Sequence, residues 1–109
     1  MTGAPTDHDR VLDALGDPSR RVILRALKPG PRSVAELAAE LPVTRPAVSQ
    51  HLKVLLEAGL VAYERQGTRN LYRLDGRGIA PVRAWVDDLW GEALQRYAAR
   101  AAEIARDPD

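Results

Sequence analysis

The chain has 109 residues, 45% apolar and 28% charged, with no cysteine, which bounds it to one ordinary globular domain without disulfides, thiolate metal sites or thiol redox chemistry. No stretch approaches the roughly 18 consecutive apolar residues of a membrane span, and no basic-then-apolar leader opens the chain, so a cytoplasmic location is expected. The formal net charge of +1 hides an uneven distribution, because Arg45, Lys53, Arg65, Arg69 and Arg73 face only Glu57 and Glu64 over residues 44–74, a modest electrostatic footprint for nucleic acid.

Residues 1–7 are expected to be a disordered lead and residues 8–106 one folded domain. A first helix is predicted from Asp7, overlapping that lead, to Leu15, with Val11, Leu12 and Leu15 on one face and Gly16 as its stop. Asp17-Pro18 then opens a second helix, with an acidic N-cap and a proline at N1. Its apolar positions are Val22, Ile23, Ala26 and Leu27, and Pro29-Gly30-Pro31 closes it. Ser33 and Glu36 are spaced as a capping box for a short third helix carrying Val34, Leu37, Ala38 and Leu41. Pro42 ends it, and only Pro42, Val43 and Thr44 separate it from the next helix.

That next helix is the stretch around which the chain is organised. Thr44 is its N-cap, Pro46 falls in its first turn, and Gly59 suits the left-handed stop. Val48, Leu52, Leu55 and Leu56 make an apolar stripe. The opposite side carries Ala47 and Gln50, flanked by Ser49 and Lys53, short or polar groups of the kind a groove-reading surface needs. Alone, the stretch is equally an ordinary amphipathic helix; its context separates the readings. Two short helices joined by so tight a turn must cross steeply, as in a helix-turn-helix. Leu60 to Arg65 and Leu71 to Leu74 then read as a hairpin around a glycine-containing turn, Gln66 to Asn70. A basic ribbon directly after a helix-turn-helix is a wing, here about residues 60–74. It would place Arg65 and Arg69 beside phosphates. The expected fold is therefore mainly α with a small β-hairpin.

A last helix is predicted over about residues 79–106, with Pro81 tolerated in its first turn. At about 100° per residue, Trp85 and Trp90 point some 140° apart, so both cannot face one neighbour. One side of the helix is expected on the chain's own core and the other on a second subunit, the alternatives being a tryptophan half-exposed on a monomer or a hydrophobic ligand groove.

The set Leu15-Gly16-Asp17-Pro18-Ser19-Arg20, Glu36-Leu37-Ala38, Arg45 to Leu55, Ala58-Gly59-Leu60-Val61, Arg65, Gly67 and Tyr72-Arg73-Leu74 strongly resembles the ArsR/SmtB family of winged-helix transcription regulators. The likeness runs over roughly residues 8–100 in order and in register. It implies a homodimer acting as a repressor on double-stranded operator DNA of inverted-repeat form, through a recognition helix at 45–57 and a wing at 65–70. Carried over by position, the DNA contacts would be Thr44, Arg45, Pro46, Ala47, Ser49, Gln50, Lys53, Arg65 and Arg69. The dimer interface would draw on Val11, Trp85, Leu89, Trp90, Ala93, Leu94 and Tyr97. His51 matches the family's His-Leu pair and is expected to be a buried, hydrogen-bonded structural histidine.

The chain departs from the family's metal sensors. Ser33 and Ala35 stand where those have their thiol pair, and the last helix offers Asp87, Asp88, Glu92 and Glu103 but no histidine. No metal and no cofactor is expected, as in a metal-independent subgroup. An enzyme is not expected: neither histidine has a nucleophile and carboxylate in a catalytic arrangement, and Gly76-Arg77-Gly78 is not a phosphate loop. The remaining alternative is a winged helix used only for protein contacts.

Overall fold

The computed structural model describes residues 7–106, for Asp7 the backbone only. The elements are α1 (Asp7–Leu15), α2 (Pro18–Ala26), α3 (Val34–Glu40), α4 (Arg45–Glu57), β1 (Val61–Gln66), β2 (Arg69–Leu74) and α5 (Ile79–Arg106). The disordered lead expected over residues 1–7 lies outside the described residues, apart from Asp7, which opens α1.

Local chemistry sets the helix ends. The Asp17 carboxylate accepts from the Ser19 and Arg20 amides at 2.7 and 3.4 Å, which caps α2. Its Ser19 bond is the main reason its pKa is lowered, with the Arg20 and His51 charges adding to the effect. The carbonyls at the end of α1 are capped in turn by α2. Arg20 donates to the Ala14 and Asp13 oxygens, and Arg21 to that of Leu15. The capping box of α3 is closed in both directions, Ser33 Oγ accepting from the Glu36 amide and Glu36 Oε1 from the Ser33 amide. α4 ends in a Schellman motif. Gly59 has φ +75, its amide donates to Leu56, and the Leu60 amide reaches back to the Leu55 carbonyl at 3.0 Å.

One cluster fills the space between these helices, with Val11, Ile23, Leu37, Val48, Leu52, Leu55 and Val61 at its centre. Several stripe edges were misjudged from sequence. Leu12, Val22 and Leu56 are exposed, and Ala14 takes the buried place beside Val11. A stripe about 100° wide has borders set by the neighbouring elements, which periodicity does not contain.

The hairpin is tighter than expected. β1 and β2 pair antiparallel from Val61↔Leu74 to Gln66↔Arg69, so the loop is Gly67-Thr68 alone. Gly67 has φ +62 and Thr68 does not share the positive φ, the pattern of a type II′ turn. A further pairing went unforeseen. Arg32 and Tyr72 exchange both backbone bonds, at 2.9 and 2.8 Å, adding a one-residue third strand ahead of α3. This bridge ties the ribbon to the helix-turn-helix, and one residue leaves no period to read. At the other end of the ribbon the Gly78 amide donates to the Gly59 carbonyl at 2.9 Å, so that α5 starts against the stop of α4.

α5 has the predicted bounds but not the predicted packing. Only Val82 is buried and Val86 packed on the core; Trp85 and Trp90 are both exposed. The expectation that one tryptophan belongs to the chain's own core is thus corrected. The core occupies the first two turns of α5, and the tryptophans lie on either side of the strip that touches it.

Candidate nucleic-acid interface

Thr44 Oγ1 accepts from the Ala47 amide at 3.3 Å, so α4 begins with a satisfied cap and its first turn open to solvent. Thr44, Arg45, Pro46, Ser49, Gln50 and Lys53 are exposed, while Val48, Leu52 and Leu55 anchor the opposite side in the core. Ala47 is half-buried, which leaves it on the flank of this surface rather than on its crest. The surface offers a guanidinium, an ammonium, a carboxamide and a hydroxyl on one helix with no carboxylate among them, a set that can both donate to and accept from base edges.

The ribbon carries the two wing arginines, both exposed. Side chains alternate across a strand, and the register puts Arg65 opposite Asn70 and Arg69 opposite Gln66. Arg65 and Arg69 therefore leave opposite faces of the ribbon. Arg65 Nε donates to the Gly67 carbonyl at the tip, 3.2 Å away. Arg69 opens β2, inward of the tip, and stands 3.7 Å from Glu36 of α3. A shallow recess of about 310 Å³ lies between Ser33, Ala35, Arg45, Arg69 and Tyr72. It brings Arg45 of the helix and Arg69 of the wing to one place; Arg65 does not reach it.

Two nearby features escaped sequence reading. Glu36 is both the capping residue of α3 and the counter-ion of Arg69. The amide and hydroxyl of Ser33 chiefly hold its carboxyl below the usual range, with Arg69 and Arg32 contributing. Arg32 meanwhile is ion-paired to Glu40. The Ser-x-x-Glu spacing signals the cap, but nothing local signals a cation arriving from residue 69.

His51, expected to be buried and hydrogen-bonded, is half-buried, and its side chain makes no hydrogen bond among the described residues; its charge acts on Asp17 instead. Among the described residues no group of three histidine, aspartate or glutamate side chains could hold a metal ion. None of the described helices is long and apolar enough to cross a membrane.

At the expected interface, Trp85, Leu89, Trp90, Leu94 and Tyr97 are between 41% and 74% exposed, and Ala93 is exposed with them. Val11 is corrected. At 1% exposure it belongs to the chain's own core, and the outward apolar residue of α1 is Leu12.

A family model described as a helix-turn-helix domain matches residues 15–64. The HTH-type transcriptional regulator Rv2034 of Mycobacterium tuberculosis is 52% identical over 90 residues, 83% of this chain and 84% of that protein. The HTH-type transcriptional repressor SmtB of the same species is 44% identical over 72 residues, 66% of this chain and 53% of that protein. Among solved structures, an ArsR-like transcriptional regulator from Rhodococcus sp. RHA1 superposes with a TM-score of 0.73 at 30% identity, covering 94% of each chain. The homodimeric winged helix-turn-helix DNA-binding domain of Mb0332 from Mycobacterium bovis, a possible ArsR-family regulator, gives 0.64 at 31% identity, covering 84% of this chain and 92% of that one. The order of elements, the capped recognition helix with its ribbon, and these likenesses converge: the chain belongs to the ArsR/SmtB family of winged helix-turn-helix transcriptional regulators.

Proposed function

We propose that this DNA-binding regulator acts as a homodimeric repressor on an inverted-repeat operator, with α4 in the major groove and the ribbon against the flanking phosphates. The observation that carries this reading is the meeting of Arg45 and Arg69 at one recess beside exposed Ser49, Gln50 and Lys53. A helix surface rich in donors specifies bases, and a cation at its edge positions the backbone. Two copies would set their recognition helices about one helical turn, ~34 Å, apart, which calls for an inverted repeat.

The dimer is inferred from α5. Its exposed Leu89, Trp90, Leu94 and Tyr97 form an apolar surface that no other described element covers. A relative named a repressor and a homodimeric neighbour support the same reading. Control by a metal is not part of it, since the chain has no cysteine and only His8 and His51 as nitrogen ligands.

A mobility-shift titration on the DNA upstream of the protein's own gene, across salt and with zinc or a chelator, tests the whole reading. Specific, salt-steep binding that is indifferent to zinc is expected. Absence of any shift would favour a protein-interaction module instead, and a zinc-dependent change of about tenfold or more in affinity would overturn the metal-independent assignment.

A further inference from the structure

We propose that the groove between α2 and the start of α5 is a binding site for an amphipathic carboxylate, a free molecule with an apolar chain and one anionic head. The groove has a volume of about 780 Å³, within the ~300–1,000 Å³ typical of small-molecule sites. Its walls are apolar. Val22 of α2 stands on one side, Leu74 and Ile79 on the other, each 40–45% exposed, with Leu15 and Leu60 between them. Three large side chains left open to water around one depression are costly unless something covers them.

The rim has one sign of charge. Arg21, Arg25 and Lys28 follow one another along the outer side of α2 and its C-terminal turn. Arg21 is partly engaged, donating to the Leu15 carbonyl at 2.6 Å. Arg25 and Lys28 are exposed and have no carboxylate partner among the described residues. The one acidic residue of the lining, Asp75, is already held by Arg77, at 2.8 Å from Nε and 2.7 Å from Nη2, so it does not neutralise the rim. An apolar trough with cations along one edge suits a ligand that is apolar along its body and anionic at its end. A polyanion would meet the cations of the edge but leave the apolar walls uncovered, and an amphipathic cation would meet like charge at the rim. The site also abuts the root of the wing, because the Asp75 amide closes onto the Leu60 carbonyl at 2.9 Å.

The test is titration calorimetry of the full chain without DNA, using decanoate below its micellar concentration, with decyltrimethylammonium and butyrate as controls. Because no DNA is present, the result is separate from the fate of the repressor reading. One decanoate per chain is expected, with no comparable binding of the cation or of the short acid. Val22→Asp and the double change Arg25→Glu with Lys28→Glu alter exposed positions and leave the core intact, and each should weaken decanoate by about tenfold or more. Failure of decanoate to bind, equal binding of decyltrimethylammonium, or unchanged affinity in both variants would overturn the proposal. So would dissociation of the dimer by Val22→Asp, which would put a second copy of the chain in the groove.

Discussion

The Arg69 guanidinium stands 3.7 Å from the Glu36 carboxylate, so the inner cation of the wing is held by the residue that closes the cap of α3. A phosphate arriving at the recess would compete with that carboxylate for the same donor. Glu36→Gln separates the two roles, because glutamine also serves in a capping box while carrying no charge. The variant should keep its fold with only a small loss of thermal stability, and bind DNA roughly two- to fivefold more tightly at low salt, the scale of an exposed ion pair. The gain should shrink as salt rises. Parallel titrations of wild type and variant at two ionic strengths check this, and unchanged or weaker binding would mean that Glu36 orients Arg69 rather than competing for it.

Gly78 is where α5 is joined to the end of α4. A Cβ there would lie 2.4 Å from the Ala58 carbonyl oxygen and 2.8 Å from the carbonyl of Gly59, all of it backbone that cannot swing aside. Gly78→Ala should destabilise the fold by about 1–3 kcal/mol, as overpacking does. Gly91 is the control. It sits inside α5 with nothing within 4 Å of its added Cβ, so Gly91→Ala should stabilise by roughly 0.5–1 kcal/mol. Chemical denaturation of both variants checks the pair, and equal stabilities would remove the close approach as the reason for glycine at 78.

These contacts mark the boundary of what was legible in the sequence. Helix ends were legible because their signals are local: Asp17 before Pro18, Ser33 three before Glu36, Thr44 before Arg45, Gly59 after the last apolar turn. The exposed side of α4 followed from those ends, since the N-cap sets which residues open the helix. The turn was misjudged because a glycine within five polar residues fits several loop lengths, and only pairing fixes Gly67-Thr68 as the loop. That difference moves Arg69 from the tip into the strand and toward Glu36. The backbone pairing of Arg32 with Tyr72 and the approach of Gly78 to Gly59 join residues far apart or lacking side-chain pattern, so no window of sequence contains them.

The cap of α2 should be visible in the acid limb of stability. The pKa of Asp17 is lowered in the fold, first by the Ser19 amide and then by the Arg20 amide and charge. Its contribution is therefore fully present above the ordinary aspartate value of about 3.9 and is lost as pH falls through the lower folded value. Asn at this position caps comparably but does not titrate. Asp17→Asn should lose less stability than wild type between about pH 5 and pH 2. Urea midpoints across that range check the sign, and parallel curves would show that Asp17 titrates alike in both states.

The outer half of α5 should hold the dimer together. Leu94 and Tyr97 are 50% and 74% exposed, and each large apolar side chain covered by a partner is worth roughly 1.5–3 kcal/mol, counted twice across a two-fold axis. Leu94→Asp with Tyr97→Asp should give a folded monomer with far weaker operator binding. Sedimentation and circular dichroism check the two parts separately. A wild-type chain that is monomeric at micromolar concentration would remove α5 as the interface.

Base reading and backbone positioning should separate by residue. Gln50 projects from the exposed side of α4, where a carboxamide can bind an adenine edge in two places, and Arg45 opens the same helix. Arg69 comes from the ribbon and reaches the recess from the side, where the phosphates of a bound duplex would run. Gln50→Ala and Arg45→Ala should therefore relax base preference, at about 1–3 kcal/mol per lost bidentate contact. Arg69→Ala should weaken all sequences alike and reduce the slope of log K against log salt by about 0.9 for each phosphate it neutralises. Arg45 is the sharper case, because it lines the same recess as Arg69. If Arg45→Ala lowers the salt slope while the ranking of operator variants is kept, Arg45 belongs with the wing and base reading rests on Gln50, Ser49 and Lys53. A change of preferred sequence in Arg69→Ala, with Gln50→Ala altering only overall affinity, would invert the assignment of helix to bases and ribbon to phosphates.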